Sequence, residues 1–183
     1  MPPARCNPVP VYHVRFTCAP DYMARRLPFR PAHLAQLVKL RDDRRVIAGG
    51  PEPDGSAAHI FYRVADLAAL DLLLADNVFY GAKLFVAHEV RAFTDIVLPL
   101  APLPADAGLQ VTLVEGRVSD WARTSETLAT LQRQDRVGFG GRFADGTGLA
   151  VVRSPEAAEA IGWLAQATAF TGALTARAWS QTL

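Results

Sequence analysis

His33, in the stretch PFRPAHLAQLVKL (28–40), is the residue of this sequence whose type and setting suggest chemistry most directly. A neutral imidazole accepts a proton near pH 7. Here it falls in the first turn of an expected helix, whose N-terminal dipole disfavours the cation. At 100° per residue it lies about 65° from the centre of the Leu34, Leu37, Val38 and Leu40 stripe, so it borders the core without joining it. Two readings are open at this point: a half-exposed surface histidine, or the working base of a site.

Other polar residues could serve such a site. Arg26 and Arg30 precede the helix, and a guanidinium fork suits a substrate carboxylate or phenolate, although arginines beside a helix start are commonly solvated surface. AGGP (48–51) offers Gly50, where a missing side chain lets a ligand or a second backbone approach; a bulge or bend is the plainer alternative. His13 and Arg15 share one face of a strand and would line any cleft that face borders. His59 and His88 have no His or Cys partner at ligand spacing, so no metal site is expected. The sequence lacks a P-loop, a dinucleotide-binding glycine fingerprint and a Gly-x-Ser-x-Gly elbow, which predicts no bound cofactor.

The elements that must position these residues follow from the hydrophobic periods. VYHVRFT (11–17) alternates as a strand, a helix starts at about Pro31, and RVIAGGP and AHIFYRV read as strands. ADLAALDLLLAD (65–76) sets Leu67, Leu70 and Leu74 at helical spacing, and AKLFVAHEVRAF (82–93) returns as a strand. The order is βαββαβ. Pro99, Pro102 and Pro104 then break both helix and strand and mark a linker.

Past the linker the order recurs at a fixed offset of 91 residues, which lays Gly50 over Gly141 and Asp54-Gly55 over Asp145-Gly146. The same offset lays IFYR (60–63) over VVRS (151–154) and Leu73 over Leu164. Ser154, Pro155 and Glu156 read as the N-cap, first position and first-turn acid of a helix. The chain therefore divides into a first copy at 9–94, a proline-rich linker at 95–107 and a second copy at 108–183. The expected fold class is α+β. A unit of this kind makes a four-stranded antiparallel sheet with both helices on one face, and stacking two bare faces buries them.

RPAHLAQL, AGGP and the acidic end of the second helix in ADNVFYGAKLF together resemble the YCII-related domain family. The resemblance implies two ferredoxin-like units paired within one chain as a dimeric α+β barrel, a pseudo-dimer. It implies a His–Asp dyad at His33 and Asp76, and a lyase, isomerase or hydrolase acting on small ring compounds. The family's Asp-Pro-aromatic segment is here Asp76-Asn77-Val78-Phe79, without the proline and with one residue more. A carboxylate bonded to the second imidazole nitrogen would fix the tautomer and stabilise the imidazolium. At the offset of 91, Thr124 and Ala167 stand where the dyad would be, so the second copy is degenerate and the chain has one such site.

Composition bounds the partners. The 183 residues are half hydrophobic, and 19 Lys and Arg against 18 Asp and Glu leave a formal charge of +1. That balance argues against nucleic acid or an anionic membrane as partner and leaves a small-molecule ligand. No apolar run approaches the roughly 20 residues of a membrane span, and two cysteines, Cys6 and Cys18, imply no disulfide framework, so a cytoplasmic location is expected. Two functions remain: a cofactor-independent enzyme moving a proton in elimination, isomerisation or hydrolysis of a cyclic or oxygenated acid, or a non-catalytic small-molecule-binding or assembly module. Exposed helices and edge strands leave room for a homo-oligomer of pseudo-dimers.

Overall fold

The computed structural model describes residues 9–99, 101–167 and 170–183. Cys6 lies outside them. The first half runs β1 (Val11–Cys18), α1 (Tyr22–Arg25), α2 (Arg30–Asp42), β2 (Val46–Pro51), β3 (Ala57–Arg63), α3 (Leu67–Ala75), α4 (Val78–Gly81) and β4 (Phe85–Val97). The second runs β5 (Leu109–Arg117), α5 (Trp121–Arg133), β6 (Val137–Phe143), β7 (Thr147–Val152), α6 (Ala157–Gln166) and β8 (Thr171–Gln181). This is a mixed α+β fold. The eight strands form one antiparallel sheet in the order β2-β3-β1-β4-β6-β7-β5-β8, so the second half repeats the strand order of the first.

Two junctions join the halves. At one, β4 pairs with β6, setting Phe93 opposite Phe143 and Val97 opposite Gly140. Residues 95–97, expected in the linker, are therefore strand and part of this junction. At the other, the Thr182 and Leu183 N–H groups donate to the Gly49 carbonyl at 2.9 and 3.1 Å, and the Trp179 indole donates to the Gly50 carbonyl at 2.8 Å. The paired glycines belong to these contacts. A Cβ on Gly50 would lie 2.0 Å from the Ser180 carbonyl oxygen, and one on Gly141 would lie 2.3 Å from that of Thr94.

Backbone alternation divides the apolar residues among three cores. Val14 and Phe16 of β1 face the helices with Tyr62, Leu70, Leu74, Phe79 and Phe85. The matching core of the second half holds Val114, Leu128, Leu131 and Leu164. Between the halves lie Phe61, Phe93, Phe139, Phe143 and Trp179, the last fully buried. Among the described residues no helix is long and apolar enough to cross a membrane.

The repeat register needs one correction. Gly49 pairs with Ile60 and Gly140 with Ala150, so the offset is 91 through β2 and β6 but 90 through β3 and β7. The β6–β7 hairpin is one residue shorter, and IFYR lies over AVVR, with Leu74 and Leu164 as the matching buried leucines. The second correction concerns α6, which starts at Ala157 with Glu156 as N-cap. Ser154 is engaged earlier in the turn, its hydroxyl accepting from the Glu156 N–H and donating to Glu159.

Candidate functional site

A cavity of about 130 Å³ lies beneath α2, against β2, β3 and the end of β8. Pro31 sits in the first turn of α2, where its missing N–H has no intrahelical role. From there Leu37 and Leu40 dock on the sheet, and Arg30, His33 and Leu34 line the cavity. Arg26 enters from the segment after α1, and Gly50, Ser180 and Thr182 form the wall where the halves meet.

His33 is buried, 8% exposed, rather than half exposed as the helical wheel suggests. Its ring stacks on Phe79 at 3.8 Å and 13°, with Phe85 edge-on at 5.9 Å. The Nδ1 atom has no hydrogen-bond partner among the described residues. Burial pushes the imidazole pKa down to about 3, so the ring is neutral at pH 7 and one nitrogen is an acceptor.

Asp76 does not join it. The residue caps α3 at an exposed position, where its carbonyl and its carboxylate receive the Gln36 amide at 2.7 and 3.3 Å. Among the described residues no hydrogen bond or ion pair links it to His33, whose shift comes from burial. Asn77 caps α4, its Oδ1 accepting from the Phe79 and Tyr80 N–H groups at 2.9 and 3.4 Å. That extra turn carries Phe79, and not the carboxylate, onto the imidazole. The dyad expected at His33 and Asp76 is replaced by an imidazole–aromatic stack.

The arginines are brought to the cavity, though not freely. Arg30 donates through both terminal nitrogens to the Asp106 carboxylate, one of these bonds being 2.9 Å. Arg26 stands over the Tyr22 ring at 5.4 Å, and its Nε has no partner among the described residues. In the second half Thr124 takes the place of His33; it is also buried, and its hydroxyl donates to the Asp120 carbonyl at 2.7 Å. Phe79, Phe85, Tyr22 and Asp106 escaped the sequence reading as site residues. The first three look like ordinary core, and Asp106 meets Arg30 across 76 residues with no local signal.

Of the strand histidines, His88 bonds the Tyr80 hydroxyl at the exposed surface. His13 and Arg15 do line a cleft between the halves. Among the described residues no group of three or more His, Cys, Asp or Glu side chains could hold a metal ion.

No protein-family model matches the chain, and no curated protein sequence does. Solved structures match along nearly its whole length. A "putative monooxygenase" from Lactobacillus acidophilus NCFM superposes with a TM-score of 0.62 at 13% identity, covering 96% of this chain and 95% of that one. A "Putative monooxygenase" from Fusobacterium nucleatum subsp. nucleatum ATCC 25586 gives 0.60 at 9%, covering 96% and 94%. A heme-binding protein from Thermus thermophilus gives 0.51 at 10%, covering 94% and 92%. At such identities the likeness is one of fold, and this chain shares their mixed α+β architecture.

Proposed function

We propose that this chain is an intramolecular pseudo-dimer of two YCII-like units, and that the cavity beneath α2 is its working site, a proton-transfer site for a small oxygenated ring acid. The observation that carries the reading is His33, a buried neutral imidazole with an unpartnered nitrogen, in one cavity with two arginines. The repeated strand order and the two matched glycine junctions support the pseudo-dimer. Neighbours bearing an enzyme's name support a small-molecule site in this architecture.

Size bounds the substrate. An apolar cavity of about 150 Å³ holds one benzene ring, so about 130 Å³ between Phe79, Phe85 and Leu37 suits a single ring and leaves no room for a porphyrin. Arg30 would take the acid group in place of the Asp106 carboxylate. A base depressed by burial is weak in the empty cavity. A bound anion offsets the charge that develops on the ring, so His33 gains basicity when substrate is present. Proton abstraction by His33 then permits elimination, isomerisation or hydrolysis. Asp76 enters as a positioning residue, fixing the end of α3 through Gln36.

The test is a panel of single-ring carboxylates and lactones followed by NMR for turnover and by calorimetry for binding. His33→Gln is expected to keep binding and to lose turnover by about 10²- to 10⁴-fold, while Asp106→Asn tightens carboxylate binding by freeing Arg30. Turnover unchanged in His33→Gln overturns the catalytic reading. Binding without turnover in the unaltered protein supports the alternative, a binding module. That alternative draws on the same low basicity of His33.

A further inference from the structure

A second cavity, of about 260 Å³, opens between the two halves. Its walls come from β1, β3 and β4 on one side and β5, β7 and β8 on the other. Two imidazoles of its wall form a chain with a carboxylate outside its lining. Glu52 Oε1 lies 3.0 Å from His59 Nε2, and His59 Nδ1 lies 2.9 Å from His13 Nε2.

The roles in this chain follow by elimination. Bonding to His59 holds the Glu52 carboxyl below its usual range, so it is ionised and only accepts. His59 Nε2 must donate to it. Burial keeps both rings neutral, so His59 Nδ1 is an acceptor and His13 Nε2 donates. His13 Nδ1 is left as a bare acceptor, buried and without a partner among the described residues. Buried polar atoms are nearly always bonded, so an orphan on a cavity wall calls for an occupant.

The charges around it select the occupant's class. Arg91 is engaged, by Glu115 at 2.9 and 3.0 Å and by Asp145 at 3.0 Å. Arg15 is not satisfied: its Nε is buried without a partner, and its terminal nitrogen stands 3.9 Å from Glu52, beyond hydrogen-bond reach. Arg177 forms no hydrogen bond or ion pair among the described residues. Two cationic forks and one acceptor nitrogen thus share a cavity with the Glu89 carboxylate, Thr175 and the apolar side chains of Leu113 and Leu149, a mixed lining that suits an acid carrying its own hydrogen-bond donor.

We propose that the cleft between the halves is a second ligand site, for a small organic acid that also carries a hydrogen-bond donor, a hydroxy or amino carboxylic acid. Arg15 and Arg177 hold the carboxylate and His13 Nδ1 accepts from the hydroxyl or ammonium. This site is independent of the cavity beneath α2.

The experiment uses the full chain, with the His13 and His59 ring protons observed by NMR. Lactate is the probe. Propionate lacks the donor, lactamide lacks the charge, and inorganic phosphate tests for an oxyanion alone. Lactate is expected to shift both ring signals and to bind more tightly than propionate, with no effect from lactamide. Arg177→Gln, at an exposed strand position, should weaken lactate roughly tenfold or more. Silence of both histidine signals to every probe overturns the proposal. So does unchanged binding in Arg177→Gln, or phosphate binding as tightly as lactate.

Discussion

Three histidines of this chain, His13, His33 and His59, are buried and held neutral, and burial is the leading cause for each. Their folded-state pKa values lie below the unfolded value near 6.5, so the unfolded chain takes up protons first as pH falls. Their effect on stability is absent above about pH 7. Below it, stability falls by roughly 1 kcal/mol per pH unit through His33, in the window from 6.5 down to about 3, and His13 and His59 add losses in the same direction. Glu52, whose folded pKa is lowered, adds a loss in the same direction below its unfolded value of 4.5. Urea unfolding between pH 8 and 4.5 should show a steep acid slope, and His33→Thr should make it shallower; a flat profile would contradict the burial argument. Threonine is the informative replacement because Thr124 fills the matching place in α5, bonding back to Asp120. At this scale the sequence disclosed His33, Arg26, Arg30 and Gly50 as a group that does converge on one cavity. It did not disclose the fate of Asp76, because Asn77 turns the chain by a cap that no periodicity reveals.

The strands and the long helices were legible because each has a period to read. β1, β2, β3, α2 and α3 begin within a residue or two of the pattern that marks them. α1 and α4 span four residues each, too short for any period, and it is α4 that brings Phe79 onto His33. The glycine pairs carried a real signal with two meanings. Neither Gly50 nor Gly141 adopts a left-handed backbone; both make way for a strand of the other half. Gly141→Ala should therefore destabilise the protein by about 1–3 kcal/mol through overpacking against backbone that cannot retreat. Gly146→Ala is a useful contrast: no atom lies near its added Cβ, and the cost there is the strained positive φ. Thermal melts of the two variants should separate these causes, because only Gly141→Ala should also lower the protection of the β4–β6 amides from hydrogen exchange.

At the scale of the molecule, the repeat was visible in the sequence, but its register was not, since a one-residue difference between hairpins leaves the glycine landmarks in place. The core between the halves was foreseen only as a need, a bare sheet face requiring cover. The residues that meet that need, Phe61 and Phe93 from one half and Phe139, Phe143 and Trp179 from the other, make the halves interdependent. Burying them contributes on the order of 1.5–3 kcal/mol for each large side chain, which neither half would retain alone. The full chain should accordingly unfold in one transition, with the fluorescence of Trp121, Trp163 and Trp179 and far-ultraviolet circular dichroism coinciding. Two resolved transitions would show that the halves are separate cooperative units.

The junction between β2 and the chain after β8 converges on a single atom. The Gly49 carbonyl oxygen receives the Thr182 N–H, the Leu183 N–H and the Thr182 hydroxyl at 2.9, 3.1 and 3.0 Å. That oxygen is main chain, common to every amino acid, so no codon change at position 49 can delete it. Mutational drift reaches this closure from the donor side, through Thr182, or by adding bulk at Gly50. A junction fastened at a backbone oxygen leaves the lining of the cleft between the halves free to vary, whereas Gly50 and Thr182, which also line the cavity beneath α2, are tied to the fastening.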